Sequence, residues 1–312
     1  MNAILFPGQG SQIVGMGSDF YNNFNIVKKI FKEADEQLKY KISEIILQGP
    51  EEKLKLTQNT QPAILVVSYA IFSVLRKEFD FNFENTKYFA GHSLGEYSAL
   101  LCSESLSFKD ALILLYERGK SMQEAVPVGK GKMIAVLGSK IDEINNFIDK
   151  VKDKKVCEIA NDNAEGQTIV SGDSESIDKL KDILQANKKK VIPLKVSAPF
   201  HCSLMKPAAE KMQIKINSTN FKKPIYEIFC NVTALSENDP QKIKELLFKQ
   251  IYSTVRWRES IINMSNKGIT NYIEIGPGKV LSGMVKRTVK NINCFSINSI
   301  DDMKIATNEF KR

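Results

Sequence analysis

Short apolar runs alternate with amphipathic stretches along most of the chain, a pattern typical of strands that alternate with helices. The apolar run at residues 2–6 predicts a short buried strand that ends in a glycine-rich turn. Apolar side chains at intervals near four predict a helix over residues 24–39. The long apolar stretch 63–75 predicts a buried helix over residues 61–78, because it is too short to cross a bilayer.

A second strand and turn follow this buried helix. Residues 86–91 predict a strand, and a helix is expected from Glu96 to Ser103. Ser107 with Asp110 is typical of a helix start, and that helix is expected to run to about residue 125. The glycine-rich segment at residues 91–95 therefore lies between a strand and a helix.

The pattern changes after the glycines at residues 129 and 131. The order β-α-β-β-α-β predicts a ferredoxin-like subdomain over residues 129–196. Its predicted elements are a strand at 132–138, a helix at 141–152, strands at 156–160 and 167–171, a helix at 174–187 and a strand at 190–196. This subdomain is expected to be an insertion, because the α/β pattern resumes afterwards and predicts one core from residues 1–128 and 197–312. The later elements are helices at 205–218, 240–251 and 257–267 and strands at 226–231 and 271–275.

Composition narrows the class of protein. The chain has 312 residues, 43% apolar and 26% charged, which is ordinary for a globular protein with a sizeable core. The N-terminus lacks a basic segment before its first apolar run, so no signal peptide and a cytoplasmic location are expected. Five widely spaced cysteines without a Cys-x-x-Cys motif predict free thiols rather than a disulfide framework or a zinc site.

The net charge of +8 comes mostly from lysine. The lysine runs at 152–155 and 188–190 lack interleaved aromatic residues and an arginine stripe, so they favour a solvated surface over a nucleic-acid site. An anionic cofactor or an acidic protein partner also suits such a charge.

Gly91-x-Ser93-x-Gly95 matches the nucleophile-elbow pattern, in which a strained turn exposes a serine above the end of a strand. The predicted strand and helix on its two sides favour a catalytic Ser93, and an ordinary tight turn is the alternative. A serine hydroxyl needs a base to take its proton. His92 and His201 are the two histidines. His92 is adjacent to Ser93 in the sequence, and its side chain is expected to point away from that of Ser93. His201 is therefore the preferred base, and no acidic third member can be assigned.

Gln9 and Arg118 each fit a functional role and an ordinary structural one. The loop of Gln9 can supply a backbone N–H to an oxyanion hole together with Leu94, the residue after the nucleophile, but it also fits a simple turn. The sequence permits a buried Arg118, although an ion pair with Glu117 or Glu124 on the surface is the more ordinary interpretation.

Five ordered motifs carry a resemblance over nearly the whole chain. They are Phe6-Pro7-Gly8-Gln9-Gly10-Ser11-Gln12, Gly91-His92-Ser93-Leu94-Gly95-Glu96-Tyr97, Arg118-Gly119 with Met122-Gln123, Pro199-Phe200-His201 and Glu274-Ile275-Gly276-Pro277-Gly278. This series resembles the malonyl-CoA:acyl carrier protein transacylases of bacterial fatty acid synthesis, in the acyltransferase family. The resemblance implies an α/β-hydrolase-like core with a parallel sheet and an inserted ferredoxin-like subdomain.

The resemblance also implies roles for individual residues. Ser93 would be acylated and His201 would act as base and then acid, with the N–H groups of Gln9 and Leu94 as the oxyanion hole. Arg118 would bind the malonyl carboxylate. Gln250 would orient His201 through its backbone carbonyl, so that no acid is needed. A weaker inference places Asn161 and Asn163 at the cleft.

The implied reaction moves malonyl from coenzyme A to the phosphopantetheine thiol of an acidic acyl carrier protein by a ping-pong mechanism. Malonyl-CoA is then a substrate, and neither a bound cofactor nor a metal is expected. A monomer that binds neither nucleic acid nor membrane is expected. The alternatives are an acyltransferase that serves a polyketide carrier, a serine thioesterase or other hydrolase, and a non-catalytic carrier-binding protein.

Overall fold

Ten strands form two separate sheets in the described part of the chain, which comprises residues 1–151, 153 and 155–310 of a computed structural model. The strands are β1 (Asn2–Phe6), β2 (Thr86–Gly91), β3 (Gly131–Leu137), β4 (Cys157–Ala164), β5 (Gln167–Asp173), β6 (Lys190–Pro193), β7 (Glu227–Cys230), β8 (Leu235–Glu237), β9 (Asn271–Ile275) and β10 (Asn293–Ile297). Parts of the lysine run at 152–155 and of the predicted helix 141–152 lie outside the described residues.

Fourteen α-helices connect and cover these strands in the same described residues. The first seven are α1 (Ser18–Asn23), α2 (Asn25–Leu38), α3 (Ile42–Leu47), α4 (Glu51–Lys55), α5 (Thr57–Glu78), α6 (Gly95–Cys102) and α7 (Phe108–Glu124). The others are α8 (Ile141–Ile148), α9 (Ser174–Ala186), α10 (Lys206–Ser218), α11 (Pro240–Gln250), α12 (Trp257–Asn266), α13 (Val280–Thr288) and α14 (Ile300–Glu309).

The larger sheet has the strand order β10-β9-β1-β2-β7-β8. Its first five strands are parallel, and β8 adds an antiparallel edge to β7. Parallel neighbours need long crossover connections, which the helices provide. The structure thus confirms an α/β protein, with β1 and β2 adjacent at the centre of the sheet.

Side chains of the central strands alternate between two hydrophobic clusters. Ile4 and Phe6 of β1 belong to the cluster on one face, whereas Ala3 and Leu5 belong to the cluster on the other face. Because strand side chains alternate with a period of two, both faces of this strand are buried. This explains why residues 3–6 of β1 form an unbroken apolar run in the sequence.

The second sheet is antiparallel and has the strand order β4-β5-β3-β6, with α8 and α9 packed on one face. Ile134 and Val136 of β3 pack in the cluster on the helix side. Met133 and Ala135 alternate with them and join the main core cluster instead. The small sheet thus packs on both faces, with α8 and α9 on one face and the main core on the other.

The helix α5 begins at Thr57, four residues before the start that the sequence predicts. Thr57, Asn59, Thr60 and Gln61 are all buried, and the Thr60 hydroxyl donates to the carbonyl of Leu54 at 2.6 Å. Hydropathy cannot show this first turn, because its buried side chains are polar. Within the described residues, no helix combines the length and the apolar character needed to cross a membrane.

Other differences from the predicted elements have local causes. The strand β4 continues through Asn161–Asn163, residue types that disfavour strands, because it pairs with β5 and is buried. The strand β6 ends at Pro193, which lacks a backbone N–H. The sequence does not predict several other elements, including α13, β10 and α14 near the C-terminus, because their apolar residues show no strong periodicity.

The close crossing of β1 and α6 predicts the effect of adding one methyl group. A Cβ at Gly95 would lie 2.3 Å from the Phe6 carbonyl oxygen and 2.9 Å from that of Pro7. Because both contacts are with backbone, we expect Gly95→Ala to lower the free energy of unfolding by about 2–3 kcal/mol. A methyl group at Gly283 in α13 would meet no atom within 4 Å, so Gly283→Ala is the matched control and should be neutral or slightly stabilising. Urea titration followed by circular dichroism measures both, and equal stability of the two variants would contradict this packing argument.

Candidate active site

Ser93 lies in a tight turn between the end of β2 and the start of α6. Its φ is 53°, in the left-handed region that costs a residue with a side chain about 1 kcal/mol or more. The turn is held by backbone hydrogen bonds from His92 to the Phe6 carbonyl and from Gly95 to the His92 carbonyl. A Cβ at Gly91 would lie 1.9 Å from the Gly95 carbonyl, so the turn requires glycine there. The serine is thereby raised at the carboxyl end of the parallel sheet.

Asn231, the residue directly after β7, stabilises the same turn through side-chain hydrogen bonds. Its side-chain oxygen accepts from the backbone N–H of Ser93 at 2.7 Å, and its amide nitrogen donates to the Gly91 carbonyl at 2.8 Å. Asn231 is fully buried. No sequence pattern singled out this residue, although its place at the carboxyl end of a parallel strand is a signal that could have identified it.

His201 Nε2 lies 2.8 Å from Ser93 Oγ, and its Nδ1 lies 2.8 Å from the backbone carbonyl oxygen of Gln250. A carbonyl oxygen can only accept, so Nδ1 carries the proton and Nε2 is free to accept from the serine hydroxyl. Burial lowers the pKa of His201 from 6.5 to about 3, and the nearby charge of Arg118 adds to this effect. The imidazole is therefore neutral at neutral pH.

His92 points away from Ser93 and has a different partner. Its Nε2 lies 2.8 Å from Asn163 Oδ1, and its ring packs edge-on against Trp257. Burial lowers the pKa of His92 as well. This histidine links the serine turn to β4 of the small sheet.

Arg118 of α7 is buried, with only 1% of its surface exposed. Its Nη1 donates to Gln61 Oε1 at 2.8 Å, and its Nη2 donates to Gln250 Oε1 at 2.9 Å and to Ser93 Oγ at 3.1 Å. The guanidinium also lies over the ring of Tyr97. The guanidinium thus contacts the Ser93 hydroxyl and is held by two carboxamide oxygens.

The alternative of a surface ion pair for Arg118 is wrong. Glu117 and Glu124 instead pair on the surface with Lys215 and Lys211. Among the described residues, no carboxylate lies within ion-pair distance of the Arg118 guanidinium. Gln61, the second glutamine that holds this arginine, was not expected from the sequence. A polar residue that interrupts the start of an apolar helix was the available signal.

Glu96, in the first turn of α6, is a fully buried carboxyl group close to these residues. Its Oε2 accepts from Gln250 Nε2 at 2.8 Å and from the backbone N–H of Asn231 at 3.0 Å. Burial raises the pKa of Glu96 to about 7, against the lowering effect of these hydrogen bonds. The sequence motif contains Glu96, but its sequence position gave no indication of these contacts.

A cavity of about 250 Å³ opens above Ser93. The loop after β1 lines it through Gly8 and Gln9, and the small sheet lines it through Asn161 and Asn163. Leu94 follows the serine as the N-cap residue of α6 and is buried. The remaining walls are mostly apolar and come from Met122, Met133, Ile169, Leu194, Phe200, Leu281 and Met284.

Backbone contacts fasten β4 to the segment that follows Gln250. Val255 donates to the Ala160 carbonyl at 2.9 Å, and Asp162 donates to the Val255 carbonyl at 3.0 Å. Arg258 closes the same junction through two hydrogen bonds to the Asp162 carboxylate, at 2.9 and 3.1 Å. These contacts fix β4, which lines the cleft, relative to the segment that begins at Gln250, the partner of His201.

Comparisons with known proteins agree with this arrangement. Residues 4–310 match the family described as the acyl transferase domain. The chain is 41% identical to the malonyl CoA-acyl carrier protein transacylase of Bacillus subtilis over 99% of this chain and 97% of that protein. It is 38% identical to the Escherichia coli K12 protein of the same name over 97% of this chain and 98% of that protein.

Solved structures give the same result. An acyl-carrier-protein S-malonyltransferase from Bartonella henselae superposes with a TM-score of 0.96 at 38% identity, covering 99% of both chains. A malonyl-transacylase solved in complex with its type II polyketide acyl-carrier protein superposes with a TM-score of 0.95 at 37% identity, again over 99% of both chains. This chain therefore belongs to the acyl transferase family, in the group of the malonyl CoA-acyl carrier protein transacylases.

Proposed function

We propose that this protein transfers a malonyl group from malonyl-CoA to the phosphopantetheine thiol of an acyl carrier protein, through a malonyl ester on Ser93. One observation carries the proposal beyond the family relationship. The Ser93 hydroxyl lies within hydrogen-bond distance of a neutral histidine and of a buried arginine. The first contact suits removal of a proton, and the second suits an acyl group that bears a negative charge.

In the first half-reaction, Ser93 Oγ attacks the thioester carbonyl carbon while His201 Nε2 takes the hydroxyl proton. A C–O bond forms, and the carbonyl oxygen becomes an oxyanion, which the N–H groups of Gln9 and Leu94 stabilise. The C–S bond then breaks, and His201 returns its proton to the departing thiolate of coenzyme A. The Gln250 carbonyl stabilises the imidazolium that exists between these two proton transfers.

The second half-reaction reverses these steps with a different thiol. His201 takes the proton of the carrier thiol, whose sulfur attacks the malonyl ester, and Ser93 leaves with that proton. Both thiols lie at the end of the same pantetheine arm, so one cleft serves both. Every step uses side chains and backbone groups of this chain, and coenzyme A takes part as a substrate.

Arg118 is proposed to bind the malonyl carboxylate. A buried guanidinium without a carboxylate partner among the described residues is costly unless an anion pairs with it. Its planar donors can hold a carboxylate through two parallel hydrogen bonds. A fatty acyl chain would leave this charge unpaired, which disfavours a lipase or a long-chain thioesterase.

We also infer a finer description of the fold. The small unit has the element order β-α-β-β-α-β, and its strand order β6-β3-β5-β4 supports a ferredoxin-like subdomain over residues 129–196. The elbow at the end of a parallel strand supports an α/β-hydrolase-like core over residues 1–128 and 197–312. Asn161 and Asn163 would then face the acyl group from the subdomain side of the cleft.

The carrier protein belongs to fatty acid synthesis in the favoured form of the proposal, and lysines near the cleft are expected to attract its acidic surface. A polyketide carrier is the second candidate, because one similar structure is a transacylase bound to such a carrier. Steady-state transfer to carriers of both kinds, each at the same malonyl-CoA concentration, distinguishes the two.

Replacement of the nucleophile tests the covalent intermediate. Mixing the protein with malonyl-CoA should add one malonyl mass on Ser93, and Ser93→Ala should abolish this adduct in intact-mass measurements. Cys202→Ala is the control, because burial raises the pKa of the Cys202 thiol to about 11 and keeps it protonated. That variant should still be acylated, and a malonyl group mapped to Cys202 or Cys102 would contradict the assignment.

The pH dependence of acylation tests the base. The pKa of His201 lies well below its ordinary value, so the neutral form persists as the pH falls through 6.5. We expect the His201-dependent part of kcat/KM to stay flat between about pH 8 and pH 5, rather than to halve near pH 6.5. The same measurement is made in the Glu96→Gln variant as a control. The pKa of Glu96 is raised into this pH range, so its titration would otherwise overlap any titration of His201. A fall centred near pH 6.5 in that variant would show an unperturbed histidine.

Removal of Arg118 separates a malonyl-specific enzyme from a general serine acyltransferase. Loss of one partner from a desolvated ion pair costs about 3–5 kcal/mol, so Arg118→Ala should lower malonyl transfer by roughly two to three and a half orders of magnitude. Acetyl transfer should change much less, because acetyl has no carboxylate. Arg76→Ala is the control, since Arg76 pairs with Glu104 on the surface. An equal loss for both acyl groups would mean that Arg118 is only structural.

A further inference from the structure

The buried carboxyl of Glu96 has no part in the steps above, yet it contacts both residues that brace the site. Its Oε2 binds the Gln250 amide at 2.8 Å and the Asn231 backbone N–H at 3.0 Å. Glu96 itself is 1% exposed and does not line the cavity above Ser93. Its contacts therefore point away from substrate and toward the groups that hold the reacting residues.

The Gln250 side chain is the link between Glu96 and Arg118. Its Oε1 accepts from Arg118 Nη2 at 2.9 Å, while its Nε2 donates to Glu96 at 2.8 Å and to the Ser93 carbonyl at 3.1 Å. An arginine can only donate, and an amide turned by 180° would direct its NH₂ at the guanidinium. The Glu96 oxygen accepts the shortest of the hydrogen bonds that prevent this rotation.

Arg118 depends on this arrangement because, among the described residues, the acceptors that its guanidinium finds apart from Ser93 Oγ are the side-chain oxygens of two glutamines. Gln61 binds Nη1 and Gln250 binds Nη2. The backbone carbonyl of Gln250, which binds His201, does not depend on the orientation of the side-chain amide. The contact from Glu96 thus acts on the arginine and leaves the bond between histidine and carbonyl in place.

We propose that Glu96 is a positioning residue for acyl-group selectivity: its acceptor oxygen fixes the Gln250 amide, which in turn aims Arg118 at the carboxylate of the acyl group. This inference rests on the proposed malonyl transfer. The proposed role of Glu96 depends on its acceptor oxygen and not on its negative charge. Both hydrogen bonds end on Oε2, and a glutamine at this position can present an oxygen to the same two donors.

A pair of substitutions of similar volume tests the proposal. Glu96→Met fills the same space but cannot accept these hydrogen bonds, whereas Glu96→Gln keeps an acceptor oxygen. The measured quantity is the ratio of malonyl to acetyl kcat/KM for acylation of Ser93. We expect Glu96→Met to lower this ratio by roughly 10- to 100-fold, the effect of a small misplacement of a binding group. Glu96→Gln should keep the ratio within about threefold of that of the unsubstituted protein.

The ratio distinguishes positioning from general damage to the fold. A disturbed serine turn lowers malonyl and acetyl transfer alike and leaves the ratio unchanged, which would overturn the proposal. Asp35→Asn is the matched control, because Asp35 is also buried and accepts from a backbone N–H and a hydroxyl, both of Ser43, away from the cavity. It should keep the ratio within about twofold.

A double substitution tests the path through Gln250. Gln250→Met removes the amide but keeps the backbone carbonyl that binds His201, so it should lower the ratio about as much as Glu96→Met. If the two residues act through one link, the double variant should lower the ratio no further than Gln250→Met alone. Multiplied effects would show independent roles and overturn the proposal.

Two outcomes separate the inference from the proposed function. If the unsubstituted protein forms no malonyl ester on Ser93, the proposed function fails and this inference fails with it. If the ester forms and Gln250→Met leaves the ratio unchanged, the inference alone is wrong. This second comparison also decides the case when Glu96→Met yields no folded protein, because Gln250→Met removes the same link without altering Glu96.

Discussion

The hydrogen bonds of one fully buried glutamine, Gln250, hold the candidate site together. Its backbone carbonyl binds His201 Nδ1, its amide oxygen binds Arg118, and its amide nitrogen binds Glu96 and the Ser93 carbonyl. The proposed base, the buried cation and the proposed nucleophile thus meet at one residue at the end of α11. Since Gln250, His201, Arg118 and Glu96 are buried, the loss of one of them leaves the others with a large desolvation penalty.

Burial couples the base to the cation in this arrangement. The removal of water and the charge of Arg118 both lower the pKa of His201, so the same arginine that suits an anionic acyl group keeps the imidazole neutral. In the proposed mechanism, a neutral histidine can accept the serine proton without first losing one of its own. The imidazolium of that mechanism would be a strong acid next to a guanidinium, suited to giving its proton to a departing thiolate.

Local sequence patterns predicted the α/β class and the existence of a second sheet, because apolar periodicity reports directly on β1, β2 and the α/β order. The patterns also placed Ser93 between a strand and a helix. They could not show which polar residues are buried together. Gln61 and Asn231 are ordinary amides in the sequence, and they become part of the site only when α5 and the end of β7 are packed beside Arg118 and Ser93. The burial of Arg118 likewise depends on tertiary contacts, so the sequence alone left a surface ion pair open.

Between Gln250 and Val255, the number of residues matters more than their identity, because both ends of this segment are fixed by hydrogen bonds. Gln250 anchors His201, and only a few residues later Val255 is hydrogen-bonded to Ala160 and Asp162 in the cleft wall. Backbone groups make most of these contacts, so many side chains can change between the two points without altering them. An inserted or deleted residue there would force either the histidine anchor or the cleft wall out of register. Changes of length are consequently far more costly in this short spacer than in the outer loops of the protein.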